Sequence, residues 1–514
     1  VSAGSSVIAE KVKLSADKGG ITVAGTINAD AKENSQIELI AGGEIILAEN
    51  AMLTAKTESD KKGGRILLST TDKVKGGIDI EAGSLIEVGN NEGIRGEVIL
   101  TAPRLDRNAD GVDESINITQ VAGEVKGIVG GGFYAEGSKV YRDEDGNITS
   151  VDINKYKNDS ASYMSLVNRQ AVKDTLHPQL QLRPGIEVQS EGDLNLTAEL
   201  NTADWRYLTL DNDDSVGRVA LRAAGNLNIN KTISDGFISE LLAGNSWSFV
   251  LASGADLNSG DYSAVRGDAD ITLARNTIVR TGNGDISLYA AGDVNFTDQT
   301  SVIYNMGRQD VDNAYGKKKV SERVGRDSLV YEYPIEGGNI EITAGGDING
   351  ATSDQFMNEW LRRTTKLDRR NSGVTAFGVI INKPVFEQGI GSFGGGNVAI
   401  TASGDIHNIS VMMPTTGKPV GKTMLGSQGF IFEENKVDVK GGGNMFITAG
   451  ANVTGGSFLT GKGQAEITAL GSIQGSSANK NGPLLSMGDS QFKLTAGDDI
   501  SITGVTDPMI ADNG

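Results

Sequence analysis

Short alternations of apolar and polar residues recur along the chain, and glycine-rich corners follow them. In Ile340-Glu341-Ile342 the two isoleucines point to one side of an extended strand and the glutamate points to the other. The fuller phrase, apolar-x-apolar-Thr-Ala-Gly-Gly-Asp-apolar, occupies 340–348. Related phrases occur at 37–45, 219–227, 286–294, 398–406, 445–453, 465–473 and 492–500.

This pattern predicts a repeat architecture made of short strands. Two or three inward residues per strand cannot bury a face alone, but stacked coils would merge them into one continuous core. The Gly and Asn corners supply residues that tolerate the positive φ of sharp turns. An antiparallel sandwich is the alternative, although sandwiches rarely repeat one phrase at regular intervals.

The spacing of the phrases gives the size of a coil. Successive copies start 465 − 445 = 20 and 492 − 465 = 27 residues apart, and 398 − 340 = 58 is close to three times 20. We therefore expect an all-β, right-handed parallel β-helix, a solenoid of roughly 20-residue coils with loop and helical insertions. Roughly 20 coils at about 4.8 Å each would form a rod of about 100 Å.

Three segments interrupt the repeat and are predicted to be insertions. Residues 141–176 are polar, with a helix predicted near Tyr163 to Val172, and 308–333 form a charged loop or hairpin. In 353–372, four apolar residues share one helical face, which predicts a helix: Phe356, Met357, Trp360 and Leu361. The predicted β-helix coils are then 1–140, 177–307, 334–352 and 373–514.

Amino-acid composition limits the cellular environments and the classes of partner that fit this chain. Glycine makes up 69 of 514 residues and aromatic residues only 5%, which suits a thin core and a chain that turns often. The net charge of −19 argues against nucleic acid as a partner. The chain has no cysteine, as is common in large extracellular bacterial proteins, and only two histidines, which argues against a His-rich zinc site. No apolar run of about 18 residues is present to span a membrane.

The repeated phrase, together with three irregular stretches, resembles the filamentous-haemagglutinin-like exoproteins of bacterial two-partner secretion systems. The stretches are Arg183-Pro184-Gly185-Ile186-Glu187-Val188, Ile233-Ser234-Asp235-Gly236-Phe237 and Gly395-Gly396-Asn397-Val398, and the resemblance covers about 185–505. It implies a parent protein exported through an outer-membrane β-barrel transporter, which folds outside the cell as a β-helix. Members of this family serve as adhesins, matrix components or stalks for a toxin. The family's amino-terminal secretion domain is not recognisable here, so we expect a segment of a longer protein.

Paired aromatic residues are candidates for carbohydrate binding, because an exposed ring can stack on a sugar. Trp205 with Tyr207, and Trp247 with Phe249, are two residues apart and so face one side of a strand. Trp360, in the third insertion, is a further candidate. The alternative is that these rings fill the core at irregular coils.

One acidic loop is a candidate calcium site. Asp106, Asn108 and Asp110, followed by a glycine, match the start of a D-x-N-x-D-G loop, whose oxygens converge on one ion. Glu114 occupies position nine, whereas position twelve, where a bidentate Glu would close the shell, is an asparagine. A solvated turn without an ion is the alternative, and no other cofactor is predicted.

No catalytic residue is predicted. The carboxylate pairs Asp498-Asp499 and Asp213-Asp214 resemble the pairs of hydrolases, but both lie in turns, and no neighbouring basic cluster suggests a lyase. The scarcity of histidine and cysteine argues against Ser-His or Cys-His chemistry.

We therefore expect a non-catalytic adhesin or structural shaft, located outside the cell at the bacterial surface or in a biofilm matrix. Its insertions would bind a polysaccharide or a cell-surface receptor, and copies could self-associate. The alternatives are a β-helical polysaccharide lyase or hydrolase, and a self-assembling filament or toxin-carrying stalk.

Overall fold

The computed structural model of the chain is a parallel β-helix with two short helices and an antiparallel side sheet. It describes residues 1–32, 34–58, 63–71, 77–109, 111–208, 214–236, 244–309, 320–324, 327–352, 361–364, 376–380, 389–424, 430–475 and 482–507. The chain winds through three faces in turn, and strands are numbered here in chain order.

Face 1 is one continuous sheet in which each strand pairs in parallel with the strand of the next coil. Its fourteen strands are β2 (Lys11–Ala16), β5 (Gln36–Ala41), β8 (Arg65–Thr70), β11 (Glu97–Leu105), β15 (Gly132–Arg142), β17 (Gln181–Ser190), β22 (Arg218–Ala223), β25 (Ser248–Ser253), β28 (Ile286–Ala290), β33 (Ile340–Ala344), β38 (Val398–Ala402), β43 (Met445–Ala449), β45 (Ser457–Ala469) and β47 (Leu484–Ala496).

Faces 2 and 3 are each divided into an amino-terminal and a carboxy-terminal sheet. On face 2 these sheets contain β3 (Ile21–Val23), β6 (Ile45–Leu47), β9 (Ile78–Ile80) and β13 (Ile118–Val121), then β16 (Asn147–Ile148), β18 (Leu194–Leu196), β23 (Leu227–Ile229), β26 (Ile271–Leu273), β29 (Val294–Phe296), β34 (Ile348–Asn349), β39 (Ile406–His407), β44 (Val453–Thr454) and β46 (Ile473–Gln474). On face 3 they contain β1 (Ser6–Ile8), β4 (Thr26–Asn28), β7 (Met52–Lys56), β10 (Leu85–Gly89) and β14 (Glu124–Lys126), then β19 (Leu200–Asn201), β24 (Ile233–Ser234), β27 (Ile278–Thr281), β30 (Val302–Asn305), β37 (Ile390–Ser392), β40 (Val411–Met413), the first residues of β45 and β47, and β48 (Gly504–Thr506).

The predicted all-β parallel helix is confirmed, but the strand register corrects the size of some coils. Met445 pairs with Ala465, so this coil has the expected 465 − 445 = 20 residues. Ile340, however, pairs directly with Val398, so the interval of 58 residues is one coil with insertions and not three coils. With fourteen strands on face 1, thirteen steps of about 4.8 Å give roughly 62 Å of stacked strands, shorter than the predicted rod.

Alternating burial along the strands produces two separate hydrophobic cores. In β28, for example, Ile286, Leu288 and Ala290 are fully buried while the residues between them are only half-buried. One core contains residues from Val12 to Leu182 and the other residues from Tyr141 to Leu485, so the segment 141–182 contributes to both. These two stacks of coils are called here the amino-terminal arm and the carboxy-terminal arm.

Helices α1 (Ser150–Tyr163) and α2 (Leu166–Thr175) lie where the two arms meet. They confirm a helical segment near Tyr163 to Val172, although the structure divides it between two helices that break at Met164 and Ser165. Tyr156 of α1 packs into the carboxy-terminal core, whereas Tyr163 packs into the amino-terminal core. The helices therefore lie at the boundary between the two cores and contribute side chains to both.

The two arms fold back on each other, which the sequence did not predict. Lys13 Nζ lies 2.7 Å from Asp261 Oδ1, although Lys13 belongs to β2, the first strand of face 1, and Asp261 lies in the loop that follows β25, the eighth. In a straight stack, seven steps would separate these coils by about 34 Å. Asn34 and Asn397 also make a hydrogen bond, of 3.0 Å. The outer surface of face 1 is thus bent onto itself.

Apolar residues on the outer side of face 1 line this contact. Outward positions that would meet water in a straight rod are buried, with exposed fractions of 0 to 8%. They include Ile40, Leu67, Ile99, Ala220, Val250 and Ala252. Face 1 therefore has a core on each side, as central sheets do.

Insertions from neighbouring coils form the antiparallel side sheet. Its strands are β31 (Val320–Val324), β32 (Asp327–Glu332), β35 (Leu361–Thr364), β36 (Ala376–Ile380), β41 (Thr415–Met424) and β42 (Phe430–Gly441). The pairing of β31 with β32 agrees with a hairpin in 308–333. In 353–372 the described residues form a strand and not the predicted helix; Phe356, Met357 and Trp360 lie outside the described residues.

Three further short strands complete the fold: β12 (Ser115–Ile116), which pairs with the end of β11, and the hairpin of β20 (Tyr207–Leu208) with β21 (Asp214–Ser215). Within the described residues, none of the helices has the length and apolarity needed to cross a membrane.

Candidate functional site

A column of acidic and amide side chains runs along the corner between faces 1 and 2 of the carboxy-terminal arm. Each side-chain oxygen accepts a hydrogen bond from the backbone N–H of the corresponding residue one coil further on. Asp347 Oδ1, for example, accepts from Asp405 N at 2.7 Å, and Asp405 Oδ1 accepts from Asn452 N at the same distance. The column contains Asp193, Asn226, Asp270, Asp293, Asp347, Asp405, Asn452, Ser472 and Asp499.

A glycine precedes six of the nine column residues, whereas alanine precedes Asp270 and Asn452, and Asp498 precedes Asp499. A Cβ atom at Gly404 would lie 2.0 Å from Asp347 Oδ1, and one at Gly346 would lie 2.1 Å from Asp293 Oδ1. These separations are far below a normal contact, so at Gly346 and Gly404 a Cβ atom would force the backbone or the carboxylate beneath it to shift. The corner motif is therefore a structural hydrogen-bonding device, repeated from coil to coil.

His407 adds an imidazole to this column. Asp347, Asp405 and His407 each offer one ligand atom, and these atoms lie within 4.8 Å of one another. The Nε2 atom of His407 is 3.5 Å from Asp405 Oδ2, and its Nδ1 atom is 2.5 Å from Thr454 Oγ1. Two carboxylates and one imidazole form a donor set that suits a divalent transition metal.

The repeat pattern alone does not bring Asp347 and Asp405 together with His407. The available signal is the run Asp405-Ile406-His407, because residues two apart on a strand face the same side. Asp347 comes close to Asp405 and His407 because β34 pairs in parallel with β39, which places Asp347 one coil before them.

The aromatic pairs proposed for carbohydrate binding are mostly enclosed in the core. Trp205 is 2% exposed, Trp247 is fully buried and Phe249 is 1% exposed. The two indole rings pack edge to face at 5.7 Å, and Trp247 Nε1 donates to the Trp205 carbonyl at 2.9 Å. The prediction is corrected for these three residues, because a ring without an exposed face cannot stack on a sugar. Tyr207 is half-buried, and Trp360 lies outside the described residues.

The candidate calcium loop joins β11 to β12 as a hairpin. Asp106 Oδ2 accepts a hydrogen bond of 2.7 Å from Gly111 N, and Glu114 Oε1 accepts one of 2.7 Å from Arg107 N. Asn108 is exposed, and Asp110 lies outside the described residues. Two of the proposed ligands therefore already stabilise the turn through backbone amides, and calcium binding by this loop stays a prediction.

Of the two acidic pairs considered for catalysis, the structure describes both residues only of Asp498-Asp499. Asp499 continues the corner column, with its N–H donating to Ser472 Oγ at 3.3 Å, and Asp498 N donates to the Gly471 carbonyl at 3.1 Å. Asp214 belongs to β21, while Asp213 lies outside the described residues. The pair at 498–499 thus occupies the turn position that its sequence context predicted.

A network of charged residues lies between the arms on the outer side of face 1 and is called here the joint. Fully buried Glu136 receives hydrogen bonds from Arg183 Nε at 2.8 Å and from Arg218 Nη2 at 2.5 Å. The joint consists of Arg65, Glu97, Glu136, Arg183, Glu187, Arg218, Arg222 and Tyr262.

Ion pairs in the joint connect the two arms directly. Arg65 of the amino-terminal arm lies 3.2 Å from Glu97 and 3.4 Å from Asp285 of the other arm. Burial alone would raise the pKa of Glu136, but the guanidinium groups of Arg218 and Arg183 outweigh it and hold the pKa below its ordinary value. Glu136 is therefore ionised at neutral pH and fixes two cations on neighbouring strands.

Comparison with protein-family models, curated proteins and solved structures gives no match to this chain.

Proposed function

We propose that the chain is a non-catalytic scaffold segment of a secreted bacterial adhesin or matrix protein, and that the side sheet is its binding element. The observation that carries this proposal is the side sheet itself. Backbone segments from different coils, which are far apart in sequence, pair there into one antiparallel sheet on an otherwise regular β-helix.

The β-helix fixes where each insertion begins and ends. Insertions leave the shaft after β30, after β34 and after β40, and each returns to a strand paired in the ladder. Side chains on both sides of β30 and β40 are buried, including outward Tyr304 and Met412, so the outer side of face 3 is covered here. A rigid support that positions loops is the usual arrangement for binding.

The contacts of the repeated aspartates and of the buried glutamates support a non-catalytic role. Carboxylates of the corner column accept backbone hydrogen bonds, and those of the joint bind arginines, so both sets stabilise the fold. A hydrolase would need a pair of carboxylates that face a bound substrate from opposite sides.

The resemblance to filamentous-haemagglutinin-like exoproteins supplies the setting for this proposal. It places the parent protein outside the cell, at the bacterial surface or in the biofilm matrix, after export through an outer-membrane transporter. The partner is then a polysaccharide or a cell-surface receptor. Absence of cysteine and a net charge of −19 agree with an extracellular protein that does not bind nucleic acid.

The purified chain would be incubated with labelled polysaccharides, with and without calcium, and both retention and shortened products would be measured. We expect retention of intact polymer. Three variants would each replace one insertion (309–334, 352–388 or 415–441) with a short turn. Loss of retention in at least one variant, with the thermal transition of the β-helix preserved, would support the side sheet as the binding element.

The same incubations distinguish this proposal from the alternative functions. Release of unsaturated or shortened fragments would contradict the non-catalytic proposal and favour a polysaccharide lyase or hydrolase. Retention that survives all three replacements would move the binding site to the shaft. Ordered fibres without polysaccharide retention would favour a self-assembling filament.

A further inference from the structure

Four buried polar groups lie together where the two arms meet, and of these the hydroxyls of Tyr207 and Ser160 are close enough to interact with each other. They are Arg104 Nη1, Ser160 Oγ, Tyr163 Oη and Tyr207 Oη. The Arg104 guanidinium lies 4.3 Å from the centre of the Tyr163 ring, and Ser160 precedes Tyr163 by one turn of α1. Tyr207 packs against both hydrophobic cores.

Arg104 is a buried cation without an ion-pair partner in the described part of the chain. It is 1% exposed, and its Nε and Nη2 atoms donate to the carbonyls of Gly137 at 2.8 Å and Gly185 at 3.0 Å. No carboxylate oxygen of a described residue lies within 4.0 Å of its nitrogens. The other buried arginine of comparable exposure, Arg222, has Glu187 at 2.6 Å.

Nearby carboxylates are engaged elsewhere. Lys139 Nζ lies 2.9 Å from Asp113 and 3.1 Å from Asp159, and Asp159 also accepts a hydrogen bond of 3.1 Å from Tyr141. The acceptors next to Arg104 are therefore in use, and its third nitrogen has none.

The surrounding hydroxyls can all act as donors. Burial raises the pKa of Tyr207 to about 12 and also raises the pKa of Tyr163, so both phenols keep their protons at neutral pH. Because the Ser160 and Tyr207 hydroxyls can pair with each other, one of their two protons, the Tyr163 hydroxyl and the third guanidinium nitrogen are the donors left for a further acceptor. Leaving buried donors unpaired costs about 1–3 kcal/mol each.

We propose that these four groups bind one small monovalent anion, such as chloride, in the interior of the molecule. A halide accepts several hydrogen bonds at once and compensates the charge of Arg104, whereas a water molecule would leave that charge without a counterion. The ion would join β11, helix α1 and the β20 hairpin, and would hold the two cores together at the bend of the chain.

The first test is the anomalous scattering of crystals soaked in sodium bromide. We expect a bromide peak within hydrogen-bonding distance of Arg104 Nη1. A water peak there, without anomalous signal, would overturn the proposal.

The second test compares thermal unfolding in sodium chloride and sodium gluconate at equal ionic strength. We expect chloride to raise the melting temperature of the full chain by roughly 1–3 °C, with saturation. Arg104→Met should lose this increment. Arg222→Met, which removes an equally buried arginine that has a carboxylate partner, should lower stability but keep the increment. Equal increments in both variants, or none in the full chain, would contradict the proposal.

Discussion

Single atoms decide the corner motif that repeats along the carboxy-terminal arm. The aspartate of one coil accepts the backbone N–H of the next, and the glycine beside that N–H leaves room for the carboxylate. The aspartate of one coil and the glycine of the next coil therefore fit together at the corner. Gly and Asp are adjacent in the sequence, but they contact different coils: Gly404 lies over Asp347 of the preceding coil, whereas Asp405 accepts the N–H of Asn452 in the next coil.

A methyl group at this corner should destabilise the helix. Gly404→Ala would place a Cβ 2.0 Å from Asp347 Oδ1, so we expect a loss of about 1–3 kcal/mol in the free energy of unfolding, measured with urea. Gly192→Ala is the matched control, because the glycine before Asp193 has no atom within 4 Å of its Cβ position. Equal losses in both variants would rule out the carboxylate contact as the cause.

At the scale of the strands, the side of face 1 on which a residue lies determines its role. Phe249 of β25 and Phe446 of β43 are aromatic residues on the same sheet, but Phe249 is 1% exposed and Phe446 is 38% exposed. Two-residue periodicity assigns these sides once a register is known. Phe249, and Trp247 two residues before it, lie on the core side for this reason.

Truncation of the two phenylalanines should give different losses of stability. We expect Phe249→Ala to cost about 3–5 kcal/mol, because it opens a cavity in the carboxy-terminal core. Phe446→Ala should stay within about 1 kcal/mol. Chemical unfolding monitored by circular dichroism measures both, and similar losses would argue against the burial described for Phe249.

At the scale of the molecule, a bent face 1 brings coils together that are far apart in the ladder. Interarm contacts such as Lys13–Asp261 and Asn34–Asn397 join the first coils to the middle of the chain. Because the arms pack together, the reach of this segment is shorter than that of a straight stack. The side sheet is then presented by a compact support.

A disulfide can test the bend, since the chain has no cysteine of its own. Ser259 Oγ and Asp17 Oδ1 are 2.6 Å apart, so Asp17→Cys with Ser259→Cys should oxidise to a cross-link that shifts mobility on a non-reducing gel. Asp17→Cys with Ser501→Cys is the control and should remain reduced. A straight chain would leave both pairs reduced.

The joint should make stability sensitive to acid. Because the pKa of Glu136 is lowered in the folded state, its contribution is present above its ordinary value of 4.5 and is lost as pH falls through the folded value. We expect Glu136→Gln to lose about 3–5 kcal/mol at pH 7, since Arg183 and Arg218 lose their shared partner.

Below pH 4.5 the difference between Glu136→Gln and the unmodified chain should shrink, as urea unfolding across pH 3 to 7 would show. Glu10→Gln, at an exposed position, serves as the control and should follow the unmodified chain. A constant difference across this range would contradict the role assigned to Glu136.

The sequence by itself determined the strands, the corners and the parallel stacking, because period-two alternation and the Gly-Asp corner act between neighbouring residues and neighbouring coils. It also indicated two of the three insertions that build the side sheet, since they interrupt that local pattern, but it assigned β36, β41 and β42 to the coils predicted over 373–514. Strand pairing decided what the pattern could not: the 58-residue coil, the side sheet, and the approach of Asp347 to His407. The bend, the joint and the isolated charge of Arg104 depend on contacts between distant coils. In the sequence these contacts appear only as scattered charged or apolar residues at outward positions of face 1. Such residues are also common on exposed surfaces, so the sequence does not show that the two arms bury them.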